Sequence, residues 1–127
     1  MEQLTWVCLG SALGGGARYL VSGWALRLWG AEFPYGTLTV NMLGSFLLSV
    51  LMFAGLDTST LSPTLRLALT TGAMGGFTTY STFSYESMRY LQEGAVSTAL
   101  INIFVTVLGC LAASLLGWVV ARSVLMG

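Results

Sequence analysis

The sequence predicts an all-α membrane protein: four transmembrane helices in one domain, the third broken near its middle. Of its 127 residues, 55% are hydrophobic and 8% charged, against about 25% charged in an ordinary soluble domain. The few charges leave apolar runs between them, each long enough to cross about 30 Å of hydrocarbon, which takes roughly 20 residues. One run carries two glycines and a dense set of hydroxyls at its centre. That is poor material for an unbroken lipid-facing helix.

The first span covers about residues 4–27 and is interrupted by one charge, Arg18. The second covers about 35–56, within the charge-free interval between Glu32 and Asp57. The third covers about 64–90, with no charge between Arg66 and Glu86, and the fourth about 95–122, with none between Glu93 and Arg122. Pro34 and Pro63 fall where helices should begin. Asp57-Thr58-Ser59-Thr60 and Ser62-Pro63 have the chemistry of turns and caps. Trp6, Trp24, Trp29, Tyr35, Tyr90 and Trp118 lie near the links and suit an interfacial belt. Nothing remains for a soluble domain. The N-terminal apolar stretch is preceded only by Glu2, so no cleavable signal peptide is expected.

Composition excludes several functions. There is no His, the commonest general base and metal ligand. No nucleophile–base pair or metal cluster stands out, so an enzyme is not expected. Net charge is zero, which implies no surface for nucleic acid. Cys8 and Cys110 are isolated in apolar surroundings and read as small hydrophobes, not as a disulfide.

With four spans, the N-terminus, the second link and the C-terminus share one side of the membrane. Arg66 and Arg122 lie on that side, and Arg27 and Arg89 on the other. The positive-inside rule is therefore tied at two against two. Either another factor orients the chain, or it inserts both ways and pairs antiparallel; the small size of the chain favours the second. Gly10 and Gly14, Gly72 and Gly76, and Gly109, Ala113 and Gly117 recur at four-residue spacing. Such spacing lets helix backbones approach, within one chain or between copies.

Polar groups inside a span are costly and mark function or pairing. The densest set is Gly75-Gly76-Phe77-Thr78-Thr79-Tyr80-Ser81-Thr82-Phe83-Ser84. Gly-Gly followed by Thr-Thr is where the third helix should break. Freed carbonyls there could hold a cation, and N–H groups or hydroxyls an anion; alternatively the hydroxyls bond back one turn with no ligand. Tyr80 and Phe83, three apart, share a helical face and can pack together or turn electropositive ring edges to an anion. A second set is Gly36-Thr37-Leu38-Thr39-Val40-Asn41-Met42-Leu43-Gly44-Ser45. The Asn41 amide could bond another helix or donate to an anion. Thr98, Asn102, Thr106, Cys110 and Ser114 form a stripe down the fourth span that could line a wet path or hold helices together. Arg18 sits deep in the first span, where it could line a vestibule or bond carbonyls at a broken helix. Glu86 closes the hydroxyl-rich segment at a pore mouth, an odd neighbour for an anion unless it is protonated, hydrogen-bonded or displaceable.

These motifs resemble those of the Fluc (CrcB) fluoride channels of bacteria. The hydroxyl-rich segment resembles the pattern GGxTTFSTFS, and residues 36–46 resemble GTLxVNxxGSF. Gly10, Gly14, Ala17, Arg18 and Tyr19 look like the first-helix pattern GxxxGAxxRY. The resemblance implies a multi-pass protein of the bacterial inner membrane, an antiparallel dual-topology homodimer with two fluoride pores. It implies a structural sodium ion (Na+) on the dimer axis, held by carbonyls of Gly75 and Thr78 from each subunit. Asn41 would donate to fluoride, and Tyr80 and Phe83 would face it with ring edges. Ser81, Thr82 and Glu86 would form a polar track, with hydroxyls added by Thr37 and Thr106. The implied partners are fluoride, a second copy and membrane lipid. Tyr80 stands where the family has Phe, and its phenol could grip the ion or narrow the path. The main rival is a small multidrug-type dual-topology exporter, which needs a carboxylate in its first span; this chain has Arg18 there. A subunit that merely packs into a larger complex would have no use for a broken, hydroxyl-rich span.

Overall fold

The computed structural model describes residues 1–127, and it is helical throughout, with no strand. Helix α1 covers Glu2–Trp29. Helix α2 covers Tyr35–Met52 and runs on as a wider π turn over Phe53–Asp57. Helix α3 begins with Pro63–Leu67, widens to π winding over Ala68–Met74 and closes with Gly75–Phe77. Helix α4 covers Tyr80–Gln92 and helix α5 Val96–Met126.

The boundaries follow from local chemistry. Pro34 precedes the first residue of α2. Pro63 is the first residue of α3, where its missing N–H costs nothing, and Ser62 Oγ accepts from the Leu65 N–H at 3.2 Å. After α1 and α4 the chain reverses through Gly30 (φ 83°) and Gly94 (φ 79°), left-handed conformations that a side chain would strain.

Small residues let the helices meet backbone to backbone. Helix α1 packs on the wide-wound part of α3, α2 on α5, and α4 on α5. A methyl group on Gly72 would lie 2.9 Å from the Val7 carbonyl oxygen, one on Gly76 would strike the Ser11 carbonyl, and one on Gly14 the Ala73 carbonyl. Across the other interface, a methyl on Gly109 would come within 3.1 Å of Met42 Sδ.

Only 20 of 127 residues are buried, and the exposed set is dominated by Leu, Val, Trp and Tyr along α1 and α5. A surface so apolar suits hydrocarbon and not water. Tyr35–Asp57 and Val96–Met126 are each long and apolar enough to cross a membrane, with mean hydropathies of 1.8 and 2.3. The 28 residues of α1 would reach about 42 Å at 1.5 Å per residue.

Candidate functional site

Helical winding stops at Phe77 and resumes at Tyr80. Between them Thr78 (φ −86°, ψ 158°) and Thr79 (φ −150°, ψ 105°) are extended. Backbone groups released here must find partners elsewhere. Asn41 of α2 supplies two. Its Oδ1 accepts the Thr79 N–H at 2.7 Å, and its Nδ2 donates to the Thr79 carbonyl at 3.1 Å. Arg18 of α1 supplies a third, its Nε–H donating to the Gly76 carbonyl at 3.0 Å. Thr79 Oγ1 caps α4 by accepting the Thr82 N–H at 3.2 Å. Thr78 turns back on the first segment: its N–H and its hydroxyl both donate to the Met74 carbonyl, at 3.0 and 2.9 Å.

The break leaves the carbonyls of residues 75–78 without their helical donors, and Arg18 replaces only the one on Gly76. The Thr79 N–H that would close a turn on Gly75 goes to Asn41, and the Thr82 N–H that would reach Thr78 goes to the Thr79 side chain. Gly75 and Thr78 both border an open, mostly apolar groove of about 580 Å³ that also touches Leu48, Met52, Arg66, Thr70 and Met74. Neutral oxygen donors of this kind suit a hard cation, although two alone are too few to enclose one.

Thr78 also borders a separate cavity of about 260 Å³. Asn41, Tyr80, Phe83 and Thr106, all singled out from sequence, meet around it together with Ser45 and Cys110, and no charged residue lines it. Asn41 uses one amide proton on Thr79, so the second remains to donate. Tyr80 and Phe83 pack edge to face, centroids 5.7 Å apart and planes at 68°. Their settings differ sharply: Phe83 is 7% exposed and Tyr80 78%. Tyr80 therefore looks outward from the chain.

Thr37 and Glu86 meet away from this cavity. The Thr37 hydroxyl makes a short hydrogen bond to Glu86 Oε1, at the edge of a second cavity of about 270 Å³ that Ser22, Tyr35 and Tyr90 also line. Ser81 and Thr82 gather their hydroxyls on Thr79, at 3.4 and 2.8 Å. Arg18 lines none of these cavities.

Sequence reasoning passed over Thr79 and Ser87 and left Asn102 undecided. Asn102 Nδ2 donates to Ser87 Oγ at 2.9 Å, and Asn102 Oδ1 accepts from the Thr106 hydroxyl at 3.2 Å. The four-residue spacing from Phe83 to Ser87 is the signal in the sequence that places Ser87 on the same face as Phe83.

The family model described as CrcB-like protein, Camphor Resistance (CrcB) matches residues 5–118. A protein of Anaeromyxobacter dehalogenans named fluoride-specific ion channel FluC is 52% identical over 96% of this chain and 97% of its own. One of the same name from Sorangium cellulosum is 50% identical over the whole of both chains. Another, from Citrifermentans bemidjiense, is 45% identical over 97% of this chain and 99% of its own.

Proposed function

The chain belongs to the CrcB-like family, and from that premise we propose that it is a fluoride-selective passive channel of a bacterial inner membrane. Membership of a channel family makes it a transport protein and not an enzyme. The observation that carries the proposal is the cavity free of charged residues that Asn41, Tyr80, Phe83 and Thr106 line beside the interruption of the third helix.

Fluoride is small and strongly hydrated, and burial without replacement partners would cost many kcal/mol. A conducting site must replace water with donors numerous enough to admit the ion and weak enough to release it. A neutral amide proton, hydroxyls and electropositive ring edges meet that demand; a ring of Arg or Lys would hold the ion. Asn41 serves twice, clamping the extended Thr79 backbone with one N–H and its carbonyl while offering the second N–H to the ion. At the other cavity the Thr37 proton is held by Glu86, so an entering anion competes with the carboxylate for that hydroxyl. Ser81 and Thr82 would add hydroxyls beside the break, where both meet Thr79.

The third span crosses the membrane as two half-helices, α3 and α4, giving four spans in all. Two copies pair antiparallel through the groove beside Gly75 and Thr78, which gives two pores. Gly75 and Thr78 of both subunits would hold a structural sodium ion, whose positive charge suits carbonyls deprived of helical donors. The direction of use is export: fluoride enters as neutral HF from acidic surroundings, dissociates inside and leaves by the channel. A multidrug-type exporter is disfavoured by the absence of an acid in α1 between Glu2 and its end.

Purified protein in liposomes loaded with potassium fluoride tests the proposal. Rapid fluoride efflux without chloride efflux is expected, and equal rates for both ions would reject selectivity.

A further inference from the structure

Asn102 is among the most completely enclosed side chains of the molecule, 1% exposed, and it bridges α4 to α5. Its partners Ser87 and Thr106 are buried too. Thr106 also lines the cavity onto which Asn41 opens. As the amide stands, the single proton of the Thr106 hydroxyl is directed at Asn102 Oδ1. With that proton engaged, Thr106 has only lone pairs left to offer the cavity it lines, the wrong polarity for an anion.

The two ends of an Asn amide have nearly the same shape, so a half-turn about its last torsion exchanges O and N without displacing its neighbours. After that half-turn, Nδ2 donates to Thr106 Oγ1 and releases the Thr106 proton toward the cavity. Oδ1 then accepts the Ser87 hydroxyl proton, so Ser87 changes from acceptor to donor. Each of the three side chains keeps a partner in both arrangements, and no proton leaves its own residue.

Resting on the fluoride reading above, we infer that Asn102 is a positioning residue whose amide reverses as fluoride enters, switching Thr106 from presenting lone pairs to donating its proton to the ion. When the ion leaves, Thr106 returns its proton to Asn102. The hydroxyl thus acts as a donor only while an anion is present, which keeps the site from holding its cargo.

The test compares fluoride efflux from liposomes carrying wild-type protein, Asn102→Asp or Asn102→Leu at alkaline pH. The Asp carboxylate keeps the shape and accepts from both Ser87 and Thr106, so it pins the Thr106 proton away from the cavity. Leu removes both bonds but leaves that proton free to turn. Efflux should fall about tenfold in Asn102→Asp, the factor of one lost hydrogen bond to the ion, and fall less in Asn102→Leu. A purely structural bridge demands the reverse order, and finding it overturns the inference. In a Thr106→Val background, Asn102→Asp should lower efflux no further; a continued tenfold loss would mean the carboxylate repels the ion directly and would also overturn it. Independently of any variant, the side-chain amide 15N resonance of Asn102 should shift when sodium fluoride is titrated into wild-type protein and not when sodium chloride is. An unmoved resonance in a protein that conducts fluoride rejects the switch alone. A wild-type protein that conducts no fluoride rejects the functional reading and the switch together.

Discussion

Asn41 and Tyr80 carry the chemistry most exposed to single substitutions. The two bonds from Asn41 to Thr79, at 2.7 and 3.1 Å, hold an extended backbone open between two helices. Asn41→Ala should abolish measurable fluoride efflux and speed hydrogen exchange of the Thr79 amide by about tenfold, as expected for one lost hydrogen bond. Asn41→Asp keeps the acceptor for the Thr79 N–H but loses both amide donors, the one on the Thr79 carbonyl and the one offered to the ion. Efflux should vanish while the Thr79 amide exchanges more slowly than in Asn41→Ala. Sustained efflux would mean that the amide serves only the backbone. Tyr80 bears the hydroxyl that its family pattern lacks, on a ring turned out of the subunit. Tyr80→Phe should raise the efflux rate, and an unchanged rate would free the phenol of any part in slowing the ion.

Between elements, packing depends on where glycine faces a backbone and where it faces nothing. A methyl on Gly76 would collide with the Ser11 carbonyl, whereas one on Gly16 meets no atom within 4 Å. Gly76→Ala should therefore lower stability by about 1–3 kcal/mol, the range for overpacking, and Gly16→Ala should leave it unchanged or slightly raised. Thermal unfolding followed by circular dichroism in detergent would distinguish them; equal melting temperatures would mean that α1 and α3 do not meet as closely as described. This contrast also shows what the sequence could disclose. The four-residue spacing of Gly10, Gly14, Gly72 and Gly76 announced close helix contact, because only small residues permit it. The hydroxyl-rich run after Gly75-Gly76 announced a departure from helix at the residues that are extended. Charge-free intervals located the long helices, since lipid tolerates few charges. The wide π winding of Phe53–Asp57 and Ala68–Met74 had no such signature, because an apolar run of small and hydroxyl residues reads the same for either winding. The link from Asn102 to Ser87 was hidden for a related reason. It joins separate helices, and periodicity reports only the face a residue occupies on its own helix.

For the molecule as a whole, the question is how one subunit with so little interior serves an ion. Tyr80 and the groove beside Gly75 and Thr78 both face outward, so the subunit leaves part of its polar chemistry at its surface. In lipid that arrangement is costly unless a second copy covers it. The arginine tally of two on each side, Arg66 and Arg122 against Arg27 and Arg89, removes the usual bias toward one orientation. The proposed antiparallel pairing of oppositely inserted copies would satisfy both. It follows that added charge should lock each copy in one orientation and so prevent pairing. Gln3→Lys with Met126→Lys adds two positive charges on the N-terminal side, and Ala31→Lys with Gln92→Lys adds two on the other, all at exposed positions. Expressed singly in cells sensitive to fluoride, each double variant should fail to protect them. Expressed together they should restore protection, since each supplies the orientation the other lacks. Full protection by either double variant alone would mean that copies sharing one orientation suffice, and the antiparallel pairing would have to be abandoned.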